Sequence, residues 1–196
     1  MNYTFINGQE ELFVLFHGTG GNEHSLFPVI GELNPYASVL SFLGNVGVGR
    51  QRRFFAPLML GGFVDRQDLA RRVNDFLKQW DQMEEVQHKT ITLIGYSNGA
   101  NFILALLEKR PNLAHHVFLL HPSHLGWKFQ VPPTATIVAT VGASDTLAPA
   151  GPIVQLKQEI EQVGGTMNVV LLDGGHAISD QEINLLKNSY QKENKQ

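Results

Sequence analysis

Short apolar runs alternate with longer amphipathic or buried stretches along most of this chain. Tyr3-Thr4-Phe5-Ile6 alternates loosely and ends at Asn7-Gly8, a turn signal that predicts an opening edge strand. Leu12 to Phe16 predicts a buried strand, and Ser25 to Leu33 a short helix stopped near Asn34-Pro35. Ala37 to Leu43 is the next predicted strand. From Arg66 to Met83 the apolar residues Leu69, Val73, Phe76, Leu77 and Trp80 recur at i, i+4, i+7, i+8 and i+11, one face of a helix. Strand Thr90–Ile94 and a buried helix over Ala100–Lys109 follow. Strands over Val117–Leu120, Ala135–Val141 and Met167–Leu172 come next, with helices over Pro152–Val163 and from about Ser179 to Tyr190. Residues 191–196 read as a polar, frayed tail. This alternation predicts an α/β fold, a mostly parallel central sheet covered by helices on both faces.

A chain of 196 residues fits a single domain over 1–196, and no repeat or low-complexity tract divides it. Hydrophobic content of 43% with 17% charged residues is a globular composition, not a disordered one. The net charge of −3 argues against a nucleic-acid surface. Zero cysteines exclude disulfides, thiolate metal sites and a Cys nucleophile. Met1 to Glu11 shows no signal-peptide pattern, and the apolar runs are too short to span a bilayer. The expectation is a cytoplasmic protein without membrane or nucleic-acid partners, a monomer or homodimer.

In such sheets the site forms at the carboxyl ends of the strands. Gly95-Tyr96-Ser97-Asn98-Gly99 lies between a predicted strand and a predicted helix, the setting of a nucleophile elbow. The turn is so sharp that only small neighbours let the chain pass, and it lifts the Ser97 hydroxyl clear of the sheet. Such a nucleophile needs an acid and then a histidine later in the chain. His176, in a Gly-Gly-His loop after the last strand, is the sole histidine beyond Asp145. Among acids, Asp173 is too near His176 on the same strand end to orient it, and Asp180 reads as a first-turn helix residue. Asp145, in a loop after a strand, is the acid selected. The catalytic set is therefore Ser97, Asp145 and His176. Oxyanion donors are expected from the backbone N–H of Asn98 and of Thr19, with Gly20 close behind, in the His17–Gly21 loop. That loop has neither dinucleotide- nor triphosphate-binding glycine spacing.

The least regular stretch, 44–62, is long enough for a functional loop. Phe54, Phe55, Leu58 and Met59 are read equally as pocket-lining or core residues. Arg50, Arg52 and Arg53 are read as anion contacts or, preferably, as solvated charges or partners of acids on the neighbouring helix. His115, His116, His121 and His124 match no zinc spacing, and no metal site is expected. They read as a surface pair plus two loop histidines, with His121 near the pocket floor. Expected substrate contacts are Phe54, Phe55, Leu147 and His121.

These motifs resemble those of the phospholipase/carboxylesterase family of small α/β-hydrolases, relatives of acyl-protein thioesterases. The resemblance spans nearly the whole chain: His17–Gly21, Gly95–Gly99, Gly142–Pro149 and Gly175-His176. Through the loop Asn45–Phe55 it is similar to the branch linked to quinone resistance. The resemblance implies the α/β-hydrolase fold, a Ser–Asp–His esterase without metal or organic cofactor, and no large lid. Ala148 stands where the family often has Val, and His121-Pro122-Ser123-His124 is unusually rich in histidine. A carboxylesterase acting on small or medium esters is the leading expectation. A thioesterase or lysophospholipase with the same machinery, and a binding protein on a hydrolase fold, are the alternatives.

Overall fold

The computed structural model describes residues 1–87 and 89–193. Part of the polar tail expected over 191–196 lies outside the described residues; 191–193 instead continue the last helix. Among the described residues, seven strands form one sheet in the order β1-β3-β2-β4-β5-β6-β7. The strands are β1 (Asn2–Ile6), β2 (Gln9–Phe16), β3 (Ala37–Leu43), β4 (Thr90–Tyr96), β5 (His116–Leu120), β6 (Thr136–Gly142) and β7 (Thr166–Leu172). Only the edge strand β1 runs antiparallel, against β3. Every other pairing is parallel and needs a crossover connection, helical in each case but that from β5 to β6. This is the mostly parallel α/β sheet that the strand–helix alternation predicts, and it agrees with the α/β-hydrolase fold that the resemblance implies.

The helices are α1 (Phe27–Leu33), α2 (Arg66–Trp80), α3 (Asn98–Lys109), α4 (Ala150–Gln162) and α5 (Asp180–Glu193). None of them is long and apolar enough to cross a membrane, among the described residues. Strand alternation sorts the core into two faces. On β2, Leu12, Val14 and Phe16 belong to the core layer that α2, α3 and α4 cover, whereas Phe13 and Leu15 belong to the layer under α1 and α5. The predicted face of α2 is buried in full: Leu69, Val73, Phe76, Leu77 and Trp80. Asp65 caps that helix by accepting from the Gln67 and Asp68 amides, both at 3.0 Å. Such a cap is worth about 1 kcal/mol. The helix stops at Trp80 rather than Met83, because the chain tightens there into a turn closed by Gln82 N–H on the Gln79 carbonyl.

α3 is buried from Asn98 through Leu107, since it lies between the sheet and α2. A helix enclosed on all sides is a rigid base for whatever its N-terminus carries. That N-terminus is Ser97.

Candidate active site

Ser97 occupies the tight turn between β4 and α3 with φ 51° and ψ −110°, a positive φ that a non-glycine residue rarely adopts. The flanking glycines are steric necessities. A Cβ on Gly99 would lie 2.0 Å from the Phe16 carbonyl oxygen, and one on Gly95 would lie 2.7 Å from the Ala100 nitrogen. The strain is held by β4 in the middle of the sheet and by Ser97 N–H donating to the Leu120 carbonyl at 2.8 Å.

The Ser97 hydroxyl meets His176 Nε2 at 2.8 Å, and His176 Nδ1 meets Asp145 Oδ2 at 2.7 Å. The structure thus brings together, from three strand ends, the three side chains that the motif order singles out. Asp145 is buried, and its other oxygen, Oδ1, accepts from the Leu147 and Ala148 amides, both at 2.9 Å. Burial works against its charge, but the Ala148 amide and the two histidines on Oδ2 more than offset this and hold its pKa at about 2. With Asp145 ionised, His176 Nδ1 must carry a proton and Nε2 is left free to accept the Ser97 hydroxyl proton. Tyr96 steadies this loop: its hydroxyl donates to the His176 carbonyl at 2.8 Å and its ring lies against the imidazole.

Beside Ser97, the loop after β2 folds back so that Gly20 N–H donates to the Arg52 carbonyl (2.8 Å) and Gly21 N–H to the Gly18 carbonyl (3.0 Å). Gly20 is therefore committed elsewhere, and Thr19 is the residue of this turn that lines the cleft with Asn98. The loop rests on His17, a fully buried ring whose Nδ1–H donates to the Gly18 carbonyl (2.7 Å) and whose Nε2 accepts from Gly44 N–H (3.0 Å). Burial pushes the His17 pKa down, so the ring is held neutral. The Asn98 side chain also has a structural task, accepting from Phe54 N–H at 2.7 Å and so tying the 44–62 loop to the elbow.

The cleft over Ser97 has a volume of about 330 Å³ and is lined by Phe55, Leu58, Leu125 and Leu147 among others. Two expected substrate contacts are not there. Phe54 is fully buried in an aromatic cluster, stacked on Phe102 at 5.4 Å and edge-on to Phe16 at 5.3 Å. It anchors the loop, which turns Phe55 toward the cleft. His121 is buried behind Asp145, not at the pocket floor. The arginines divide, Arg50 being exposed as a solvated charge would be. Asp68, the α2 acid facing this loop, is taken by Arg71, Arg72 and the Ala56 amide, and Arg53 instead lines the cleft.

Reading by sequence missed one group entirely. His121 Nδ1 meets Asp145 Oδ2 at 2.9 Å, and its Nε2 meets Glu182 Oε2 at 3.3 Å. Histidine enrichment after β5 pointed toward His121, but Glu182, in the first turn of α5, looks like any acid that favours a helix dipole. The candidate ligand atoms of His121, Asp145 and His176 lie within 4.8 Å of one another. Separations of 2.7 and 2.9 Å from both rings to a single carboxylate oxygen are those of direct N–H···O hydrogen bonds.

The dienelactone hydrolase family model matches residues 52–196. The chain is 29% identical over 188 residues to the putative hydrolase MhqD of Bacillus subtilis (strain 168), covering 93% of this chain and 94% of that protein. It is 25% identical over 190 residues to the esterase YpfH of Escherichia coli (strain K12), covering 89% of this chain and 79% of YpfH. Among solved structures, the Bacillus cereus carboxylesterase superposes with a TM-score of 0.88 at 30% identity, over 98% of this chain and 94% of that one.

Proposed function

We propose that this chain, which belongs to the dienelactone hydrolase family, is a serine carboxylesterase that cleaves small to medium carboxylic esters through an acyl-enzyme on Ser97. Its kinship with hydrolases and esterases supports the reaction class, and the family supports no finer choice of substrate. The observation that carries the reading is the unbroken chain from Ser97 Oγ through His176 to buried Asp145, at 2.8 and 2.7 Å.

The chemistry follows from that chain. Ser97 Oγ attacks the ester carbonyl carbon while its proton passes to His176 Nε2. Asp145 fixes the tautomer of His176 and stabilises the imidazolium as it forms. The backbone amides of Thr19 and Asn98 receive the developing oxyanion, and the N-terminus of α3 adds a favourable dipole. His176 returns the proton to the departing alkoxide as the carbon–oxygen bond breaks. Water then attacks the acyl-enzyme, giving its proton to His176, and Ser97 leaves with that proton restored.

Phe55 and Leu147 give the acyl or alcohol portion an apolar wall. At about 330 Å³ the cleft is at the small end of ligand sites, which favours short and medium esters over the long acyl chains of a thioesterase or lysophospholipase. A cytoplasmic small-molecule ester is the substrate class that this reading implies, with no metal or organic cofactor. Dialysis against EDTA should leave the rate unchanged.

The test is a p-nitrophenyl ester series on wild type and Ser97→Ala. Short esters should turn over, and Ser97→Ala should lower kcat by roughly 10⁴-fold or more. A fluorophosphonate probe should label wild type and not the variant. If neither protein hydrolyses any ester and the probe leaves Ser97 unlabelled, the fold is being used for binding instead.

A further inference from the structure

Asp145 Oδ2 receives two histidines, and only one of them reaches Ser97. The second, His121, follows β5 and is 1% exposed, with φ 50°. Like Ser97, it is a non-glycine residue held in left-handed backbone, here by its N–H donating to the Thr140 carbonyl at 3.0 Å. Its far nitrogen faces Glu182, which is 0% exposed. Glu182 in turn accepts from the Thr140 hydroxyl on Oε1 and from the Ser179 amide on Oε2 (3.4 Å).

Counting donors and acceptors leaves one proton to place. An ionised Asp145 requires a proton on His121 Nδ1, as on His176 Nδ1. Beside an ionised Glu182, a neutral His121 would then turn the Nε2 lone pair toward a carboxylate oxygen, two acceptors face to face at 3.3 Å in a site closed to water. The Thr140 and Ser179 donors both suit an ionised Glu182. We propose that His121 and Glu182 form a buried, proton-bearing pair that positions Asp145, with His121 an imidazolium clamped between two carboxylates. This inference rests on the triad assigned above and extends it to a chain of five side chains ending at Glu182.

Titratable groups facing His121 come from every element around it: Asp145 from the loop after β6, Glu182 from α5, His176 (rings 5.3 Å apart) from the loop after β7, and Tyr96 (6.0 Å, perpendicular) from the end of β4. Burial disfavours the charged ring, but the Glu182 and Asp145 carboxylates outweigh it and the pKa of His121 is raised. When that proton leaves at alkaline pH, Nε2 and Glu182 repel, the ring shifts and Asp145 loses its second anchor. His121 is thus a positioning residue whose loss affects the chemical step and not substrate binding.

The pH profile of kcat separates this role from a merely structural one. Wild type should show an alkaline limb set by His121. Glu182→Gln should abolish the limb, because the Gln amide donates to a neutral His121 at every pH and keeps the frame intact. His121→Gln should lower kcat about 10- to 100-fold with KM little changed. In a ¹⁵N-histidine spectrum at neutral pH, both nitrogens of His121 should be protonated in wild type and only one in Glu182→Gln. A wild-type His121 with one bare nitrogen, or an alkaline limb identical in Glu182→Gln, overturns the proposal while a Ser97-dependent esterase still stands. A Ser97→Ala protein that keeps its rate removes the triad itself, and with it any positioning role.

Discussion

Two buried histidines flank the strand that carries the nucleophile, and they solve burial in opposite ways. His17 follows β2 and His121 follows β5, the two neighbours of β4 in the sheet. His17 is satisfied by one backbone carbonyl and one backbone N–H, a pairing that a neutral ring meets in full, and burial lowers its pKa. His121 is satisfied by two carboxylates, which overcome burial and raise its pKa. Burial alone therefore does not set the charge of a core histidine. The partners do, and they also decide what the residue does: His17 fastens the loop that holds Thr19, whereas His121 fastens Asp145.

The sharpest way to break this comparison is to delete each ring. His121→Leu leaves Glu182 a buried carboxylate without a counter-charge and takes one of the partners of Asp145, a loss of about 3–5 kcal/mol in stability. His17→Leu strands only the Gly44 amide, because the Gly18 carbonyl keeps the Gly21 N–H, a loss of about 1–3 kcal/mol. Urea denaturation at neutral pH measures both. Adding Glu182→Leu to His121→Leu should recover part of the larger loss, since the stranded carboxylate goes with it. Equal losses at the two positions would mean that His121 is packed rather than charged.

The same contrast marks what the sequence could reveal. Ser97, Asp145 and His176 each follow a strand in a short loop, so local context and chain order single them out before any contact is known. Thr19 was chosen over Gly20 narrowly, and the commitment of the Gly20 amide to Arg52 could not be seen from spacing. Phe54 was misplaced because the route of the 44–62 loop depends on where Phe16 and Phe102 stack, contacts 38 and 48 residues distant in the chain. Glu182 carried no signal. Its partner lies 61 residues upstream, and an acid in the first turn of a helix needs no explanation beyond the dipole. Motifs expose residues that chemistry requires near one another in known order; they are silent on residues that support those groups from behind.

Titration sharpens the comparison, because the two rings should move stability in opposite directions with pH. His17 has a folded pKa below its unfolded value of about 6.5, so its contribution is full above that pH and is lost as pH falls. His121 has a folded pKa above that value, so its contribution is full below it and is lost as pH rises through the folded pKa. The stability gap between wild type and His17→Gln should therefore shrink on acidification. The gap for His121→Gln should shrink on going alkaline, each by up to about 1.4 kcal/mol per pH unit within its window. Denaturation at three pH values is enough; gaps that move together would show that the two rings share one charge state.

The smallest expected effect concerns the residue whose ring lies against both histidines of the acid. Tyr96 sets its ring perpendicular to His121 at 6.0 Å and tilted against His176 at 5.5 Å, while its hydroxyl holds the His176 carbonyl. Tyr96→Phe keeps both ring contacts and removes only that hydrogen bond, worth about 0.5–1.5 kcal/mol. If the whole of it is felt in the chemical step, kcat falls about 2- to 13-fold. The alkaline limb should stay in place, because nothing that faces His121 Nε2 has changed. A limb displaced by this hydroxyl would mean that His121 and His176 communicate through Tyr96 as well as through Asp145, and that the division between base and positioning residue is less complete than their separate contacts with Ser97 and Glu182 require.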